Sequence, residues 1–238
     1  MNHPAELSVH SYLRDAIDGK ASMSQEVIQA ICDDVAAALE KQFNSGPREE
    51  FKLRMSNIGR PKCQLWFDKN NPETDIQKPT AFMLNMLMGD WTEAIFKGIL
   101  RAAKVEFEDN DRVTLKLEGG AEVGGEYDMI MDGAVDDVKS ASPWSYMNKF
   151  VDAETLAKGD SFGYIPQLIG YAQAADKKVG GWWVVNKGNG HFKYVSAASL
   201  DKEAVMADIQ STHDYITNDE PFERCFTSEP ETYRGKAS

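Results

Sequence analysis

Gly125-Glu126-Tyr127-Asp128-Met129-Ile130-Met131-Asp132-Gly133-Ala134-Val135-Asp136-Asp137-Val138-Lys139 reads as two short strands meeting at an Asp-Gly turn. Asp-Gly is favoured where both central residues of a two-residue hairpin loop take positive φ. Residues two apart on a strand share a face, so Asp137 and Lys139 point the same way, and the hairpin brings Asp128 alongside them. Asp136 is the rival to Asp137, but alternation turns it away from Lys139. Two carboxylates beside one ammonium suit phosphodiester hydrolysis. Hard oxygen ligands take Mg²⁺ or Mn²⁺, such an ion lowers the pKa of a bound water, and a lysine orients that water or offsets charge at phosphorus. A short Asp-x-Lys string is also a common chance pattern on a hairpin surface, so the string alone decides little.

Working outward, β-type sequence surrounds the hairpin: Val105 to Glu108, Arg112 to Leu117, Val123 to Met131 and Val135 to Lys139. Asp109-Asn110, Gly119-Gly120 and Asp132-Gly133 punctuate it, which predicts an antiparallel meander. Upstream, Pro79 and Thr80 open a helix reaching about Ala103, with Leu84, Met88, Trp91, Ile95 and Ile99 as its apolar face. Before it, Ser22 and Gln25 form a capping box for a helix running to about Phe43, stopped by Asn44-Ser45-Gly46-Pro47. The first 20 residues show little periodicity and are expected as a mobile segment or a docking arm.

Downstream, helices are expected from about Ser145 to Lys158 and Tyr164 to Ala175. A strand pair follows, Gly181 to Asn186 and Phe192 to Ser196, joined by Gly188-Asn189-Gly190, and then a helix from Lys202 to Ile216. This order predicts an α/β fold with a central mixed sheet flanked by helices. The expected boundaries are an N-terminal helical extension over 1–52, the core over 53–220 and an irregular tail over 221–238.

Two helical pairs sharpen the reading. Glu93 lies off the apolar face with Met86, Gly89, Asp90 and Lys97, and Gly89 would admit a close approach there. A plain ion pair between Glu93 and Lys97 at i+4 is the competing account. Gln167 and Tyr171 stack four apart on one helical face, and both carry donors able to reach phosphate oxygens. An amide and a phenol on an exposed face are otherwise ordinary.

The formal net charge is −12 over 238 residues, with a hydrophobic fraction of 42%. Such acidity argues against tight non-specific DNA binding and suits a protein partner or a homo-oligomer on the acidic surface, although cations can still line one channel. Arg54, Arg60 and Lys62 are the best phosphate-steering candidates, with Lys149 and Lys158 weaker. Cys32, Cys63 and Cys225 lack a CxxC pair, which argues against a disulfide framework and gives no zinc-ligand cluster. His3, His10, His191 and His213 are dispersed. Of Trp182 and Trp183, alternation sends one into the core and one outward. No apolar run approaches a membrane span and no signal-peptide pattern is present, so no membrane association and a cytoplasmic location are expected. No GxxxxGK[ST] motif is present.

Together, Gly89-x-x-x-Glu93, Gly-Glu-Tyr-Asp128, Asp137-Val138-Lys139 and Gln167-x-x-x-Tyr171, preceded by the segment Arg54 to Phe67, resemble the PD-(D/E)XK nuclease superfamily. The likeness is to its RecB-like branch with Cas4-like and phage exonucleases, over about residues 54–197. The resemblance implies a restriction-endonuclease-like core and a Mg²⁺- or Mn²⁺-dependent deoxyribonuclease. An exonuclease on DNA ends or single strands is the favoured form, in host cytoplasm if phage-encoded. It implies that Asp128, Asp137, the Val138 carbonyl and Glu93 hold metal, that Lys139 positions the attacking water, and that Gln167, Tyr171 and the small polar Ser140 lie on DNA. Many RecB-like relatives carry His where Glu93 stands. Cas4-type members bind an iron–sulfur cluster through four cysteines; only Cys63 and Cys225 stand near comparable positions, so no cluster is expected. The alternatives are a structure-selective endonuclease, or a catalytically silent DNA- or protein-binding module on the same scaffold.

Overall fold

The computed structural model describes residues 3–44, 46, 50–71 and 80–226, and the short paired strands Thr232–Tyr233 and Lys236–Ala237. The expected breakers Ser45 and Pro47, the expected unit end Pro72 and the helix-opening Pro79 lie outside the described residues. The helices are α1 (Pro4–Ile17), α2 (Gln25–Phe43), α3 (Lys62–Asn70), α4 (Thr80–Ala102), α5 (Pro143–Asn148), α6 (Ala153–Ala157), α7 (Tyr164–Ala174) and α8 (Lys202–Thr217). The strands are β1 (Glu108–Lys116), β2 (Glu122–Met131), β3 (Ala134–Ala141), β4 (Lys178–Asn186) and β5 (Phe192–Ser196).

The five strands form one sheet in the order β1-β2-β3-β4-β5. Only the β3–β4 pair is parallel, and α5, α6 and α7 make the crossover between them, so the fold is α/β with a mixed sheet. The Asp132-Gly133 turn closes the β2–β3 hairpin with φ of 51° and 73°, as the dipeptide predicts. One face of the sheet packs on α7 and α8 through Met55, Ile58, Leu115, Tyr127, Leu168, Ile169, Trp182 and Ile209. The other packs on α1 and α4 through Val9, Phe96, Leu100, Met129, Val138 and Trp183. Among the described residues, no helix is long and apolar enough to cross a membrane.

Several local expectations are corrected. The first 20 residues are not a mobile arm: α1 is a helix whose Val9 is fully buried beside Phe96 and Trp183. Ala5, Val9 and Leu13 recur four apart and form the stripe that the sheet holds. With α4, α1 also buries the ring expected outside, so Trp182 and Trp183 are both 0% exposed. The N-cap of α2 is Ser24, accepting from the Val27 N–H at 3.3 Å, not Ser22. Residues 105–107 are irregular, and Asp109-Asn110 lies inside β1 rather than in a turn. There Asp109 takes two bonds from Arg101 and Asn110 donates to Glu126, partners that hold the backbone extended.

The expected helix 145–158 is two short ones, because Asp152 caps α6 by accepting from the Thr155 N–H. In α4 the inward residues are Leu87, Ala94, Phe96 and Leu100, whereas Leu84, Met88 and Ile95 are exposed. Residues 81–86 are all exposed, so the most apolar stripe is not the one the sheet covers.

Candidate active site

The chemistry-bearing residues meet where β2 and β3 part. Their backbone register runs from the turn only to Met129–Asp136. One step further, the Asp128 carboxylate takes the place of the backbone: its Oδ2 accepts from the Val138 N–H at 2.8 Å. A carboxylate held by a backbone donor is fixed in direction. Asp137 and Lys139 lie beside this fork, as their spacing on one strand requires, with Lys139 Nζ 2.5 Å from Asp137 Oδ2. Asp137 is 1% exposed. Its Oδ1 is buried with no hydrogen-bond partner.

The electrostatics follow from burial and crowding. Burial pushes the Asp137 carboxyl up to about 7, with Lys139 opposing the shift and Asp128 adding to it. Burial alone would lower Lys139, but Asp137 and Asp128 more than reverse that and hold its ammonium above the usual value. Glu93 enters from α4 and is pushed up to about 8, first by burial, then by Asp128 and Asp137, against the pull of Lys97 and Lys139. Three carboxylates therefore share one field.

Lys97, 2% exposed, reaches Glu93 Oε1 at 3.6 Å, Asp109 Oδ1 at 3.3 Å and Asn110 Oδ1 at 3.1 Å. The i+4 pair and the approach to Asp128 and Asp137 thus coexist at Glu93. Gly89 lies over Ser140: a Cβ there would stand 3.9 Å from Ser140 Oγ.

From the opposite face α7 brings Gln167 and Tyr171, whose side chains bond to each other, Gln167 Nε2 donating to the phenol oxygen at 3.1 Å. Tyr171 is buried rather than exposed, because its ring packs on the bare backbone of Gly125, where a Cβ would come within 2.5 Å of Cε1. Burial, then the Asp137 and Asp128 charges, push its hydroxyl up to about 12, with the Gln167 bond and Lys139 opposing.

Of the cations expected to steer phosphate, Arg60 acts electrostatically on Tyr164. Lys62 instead turns to α8, donating to Ser211 Oγ at 2.8 Å with its ammonium 5.8 Å from the Tyr215 ring. The Arg54 backbone N–H donates to Asn57 Oδ1, fixing the loop before α3.

Asp136 turns away, as alternation predicts. It accepts from the Tyr194 hydroxyl and the Gly181 N–H, each at 2.8 Å. β4 spends one residue more than β3 between the pairs Val135–Val179 and Asp137–Trp182, a bulge at Gly180-Gly181 that admits this carboxylate. Burial pushes Asp136 up to about 7, against both bonds. Sequence reasoning passed over Tyr164, whose ring lies 5.2 Å from Lys139 Nζ. Its signal was the spacing Tyr164, Gln167, Tyr171, three and four apart on one helical face.

Among the described residues, no three His, Cys, Asp or Glu side chains already form a metal cage. The donor set still fits a hard cation. Asp128, Asp137 and Glu93 offer carboxylate oxygens, Asp137 Oδ1 is an orphaned buried acceptor, and a cation would offset the burial and the mutual repulsion that together raise Asp137 and Glu93. No protein-family model matches the sequence, and no curated protein matches it. Among solved structures the chain is similar to one described as "Crystal structure of SSO0001", at 14% identity and a TM-score of 0.46, covering 79% of this chain and 86% of that one.

Proposed function

We propose that this chain is a Mg²⁺- or Mn²⁺-dependent deoxyribonuclease, an exonuclease acting on DNA ends or single strands. The observation that carries the proposal is the convergence of Asp128, Asp137 and Glu93 in one field beside the Lys139 ammonium. A fold has no structural need to bury repelling carboxylates together, and here burial and repulsion hold two of them near or above neutrality. Asp128, Asp137 and Glu93 would hold the ion, with the Val138 carbonyl that the resemblance adds. When bound, such an ion polarises a phosphate oxygen and activates a water.

The chain's own groups do the positioning. The Val138 N–H fixes Asp128, and Lys97 pairs with Glu93 at 3.6 Å. Lys139, kept charged by its carboxylate neighbours, is placed to orient a water or to offset negative charge developing on phosphate oxygens. Gln167 and Tyr171 form a hydrogen-bonded pair close enough for the Tyr171 hydroxyl to feel the site's charges, a position from which an amide can donate to a neighbouring phosphate.

The test is cleavage of end-labelled single- and double-stranded DNA with Mg²⁺, Mn²⁺ or EDTA, for the wild type and Lys139→Ala. Metal-dependent cleavage that the variant loses is the expected result, and a stepwise ladder from one end separates exonuclease from endonuclease. Wild-type protein that cleaves neither open nor blocked ends in either metal would sink the proposal and favour a binding scaffold.

A further inference from the structure

Lys139 is also the inner end of an aromatic stack that leads to the surface. Its ammonium lies 5.2 Å from the Tyr164 ring. Tyr164 is stacked on Phe162, centroids 5.6 Å apart and planes 12° from parallel. Lys149 Nζ stands 5.7 Å from the Phe162 ring. Arg60 acts electrostatically on Tyr164, and its Nε is buried with no hydrogen-bond partner. Three cations thus gather around two stacked rings in a chain of net charge −12.

The outer ring is exposed, and the loop that follows it is braced. Phe162 is 56% exposed. The Asp160 carboxylate in the same loop accepts from the N–H groups of Gly163, Tyr164 and Ile165 at 3.0, 2.9 and 2.8 Å. Gly163 takes φ of +77°, and its backbone lies against Gly59, where a Cβ would come within 2.6 Å of the Gly59 Cα. Phe162 therefore offers a flat apolar face to solvent from a braced loop, with Lys149 near the ring. A platform of aromatic faces with cations at its edges matches the chemistry of unpaired nucleotides, whose bases stack and whose phosphates pair with Lys and Arg.

We propose that Phe162, stacked on Tyr164 and flanked by Lys149 and Arg60, is a stacking subsite for an unpaired base of single-stranded DNA whose backbone passes Lys139. The inference rests on the nuclease reading and narrows its substrate to strands with an unpaired nucleotide next to the scissile phosphate. Paired bases in a duplex stack on each other and cannot lie on Phe162 without unpairing.

Binding is read by fluorescence anisotropy in EDTA, so that no cleavage intervenes, for the wild type, Phe162→Ala and Phe162→Trp. One labelled strand is ordinary DNA, and a second of equal length and charge carries abasic sites throughout. Phe162→Ala is expected to raise the Kd for the ordinary strand by between about 5-fold and about 140-fold, the equivalent of about 1–3 kcal/mol for one stacked base. The abasic strand should bind both proteins alike, and Phe162→Trp should restore wild-type affinity. Thermal melting of both variants, and the rescue by Trp, separate a lost platform from a lost fold.

Equal Kd values for wild type and Phe162→Ala would overturn the subsite. So would wild-type protein that binds abasic and ordinary strands equally, or binds neither. Cleavage is measured in parallel with Mg²⁺. A wild type that never cleaves but binds through its bases and Phe162 removes the nuclease reading and leaves the subsite, whereas an active wild type with Phe162-independent binding removes the subsite alone.

Discussion

Replacing Lys139 by Met deletes the cation 2.5 Å from Asp137 Oδ2 while keeping an unbranched apolar stem. Asp137 is 1% exposed, and its carboxyl already stands at about 7 through burial and Asp128, with Lys139 pulling the other way. Without the ammonium it must rise further. A carboxyl raised in the folded state binds more protons folded than unfolded, so its contribution is complete at low pH and is lost as pH climbs through the folded value. In the wild type that loss ends near pH 7, where the ionised group pairs with Lys139. In Lys139→Met it continues.

Lys139, held above its usual value by Asp137 and Asp128, stabilises the wild type throughout the range from about pH 5.5 to about pH 9. The variant should therefore be less stable at every pH, and the gap should widen above about pH 7 by up to about 1.4 kcal/mol per pH unit. From about pH 7 to about pH 9 that widening amounts to at most about 2.8 kcal/mol. For a chain of this length that is a Tm difference of up to roughly 6–11 °C. Thermal melts followed by circular dichroism in EDTA, from about pH 5.5 to about pH 9, supply the comparison. A Tm gap of the same size at every pH, or none at the alkaline end, would refute the argument.

Gly180→Ala places a Cβ 2.7 Å from the Val135 carbonyl oxygen and closer still to Asp136 Oδ1, so it should destabilise the fold by about 1–3 kcal/mol in a urea titration. An unchanged urea midpoint would mean that the bulge has room to spare. Asp136 is raised to about 7 by burial, so its share of stability is present below about pH 4 and drains away as pH rises toward 7. Asp136→Asn keeps acceptors for Tyr194 and Gly181 and should flatten that part of the stability–pH profile; a profile identical to the wild type's would place the titration elsewhere.

The parts legible in the sequence are those governed by local geometry. Asp132-Gly133 reads as a tight turn because few other dipeptides accept two positive φ values, and 51° and 73° are what the chain adopts. Once the turn is set, the two-residue strand period places Asp137 with Lys139 and sends Asp136 to the other side, where Tyr194 and Gly181 meet it. The limits of α4, α7 and β5 follow from helical and strand periodicity in the same way.

What only the tertiary structure decided depends on groups far apart in the chain. The apolar stripe of α4 is ambiguous because burial is set by the sheet and α2, not by the helix's own sequence, and so Leu84 and Met88 stay exposed. Trp183 is interior because α4 and α1, the latter about 170 residues earlier, cover its face. The fork that lets Asp128 grip the Val138 N–H, the approach of Glu93 from another helix, and the contact of Gly163 with Gly59 that braces the loop after Phe162 all join distant segments. Sequence spacing reports which residues can share a face; it carries no information about which face another segment will cover, because burial is a property of the pair.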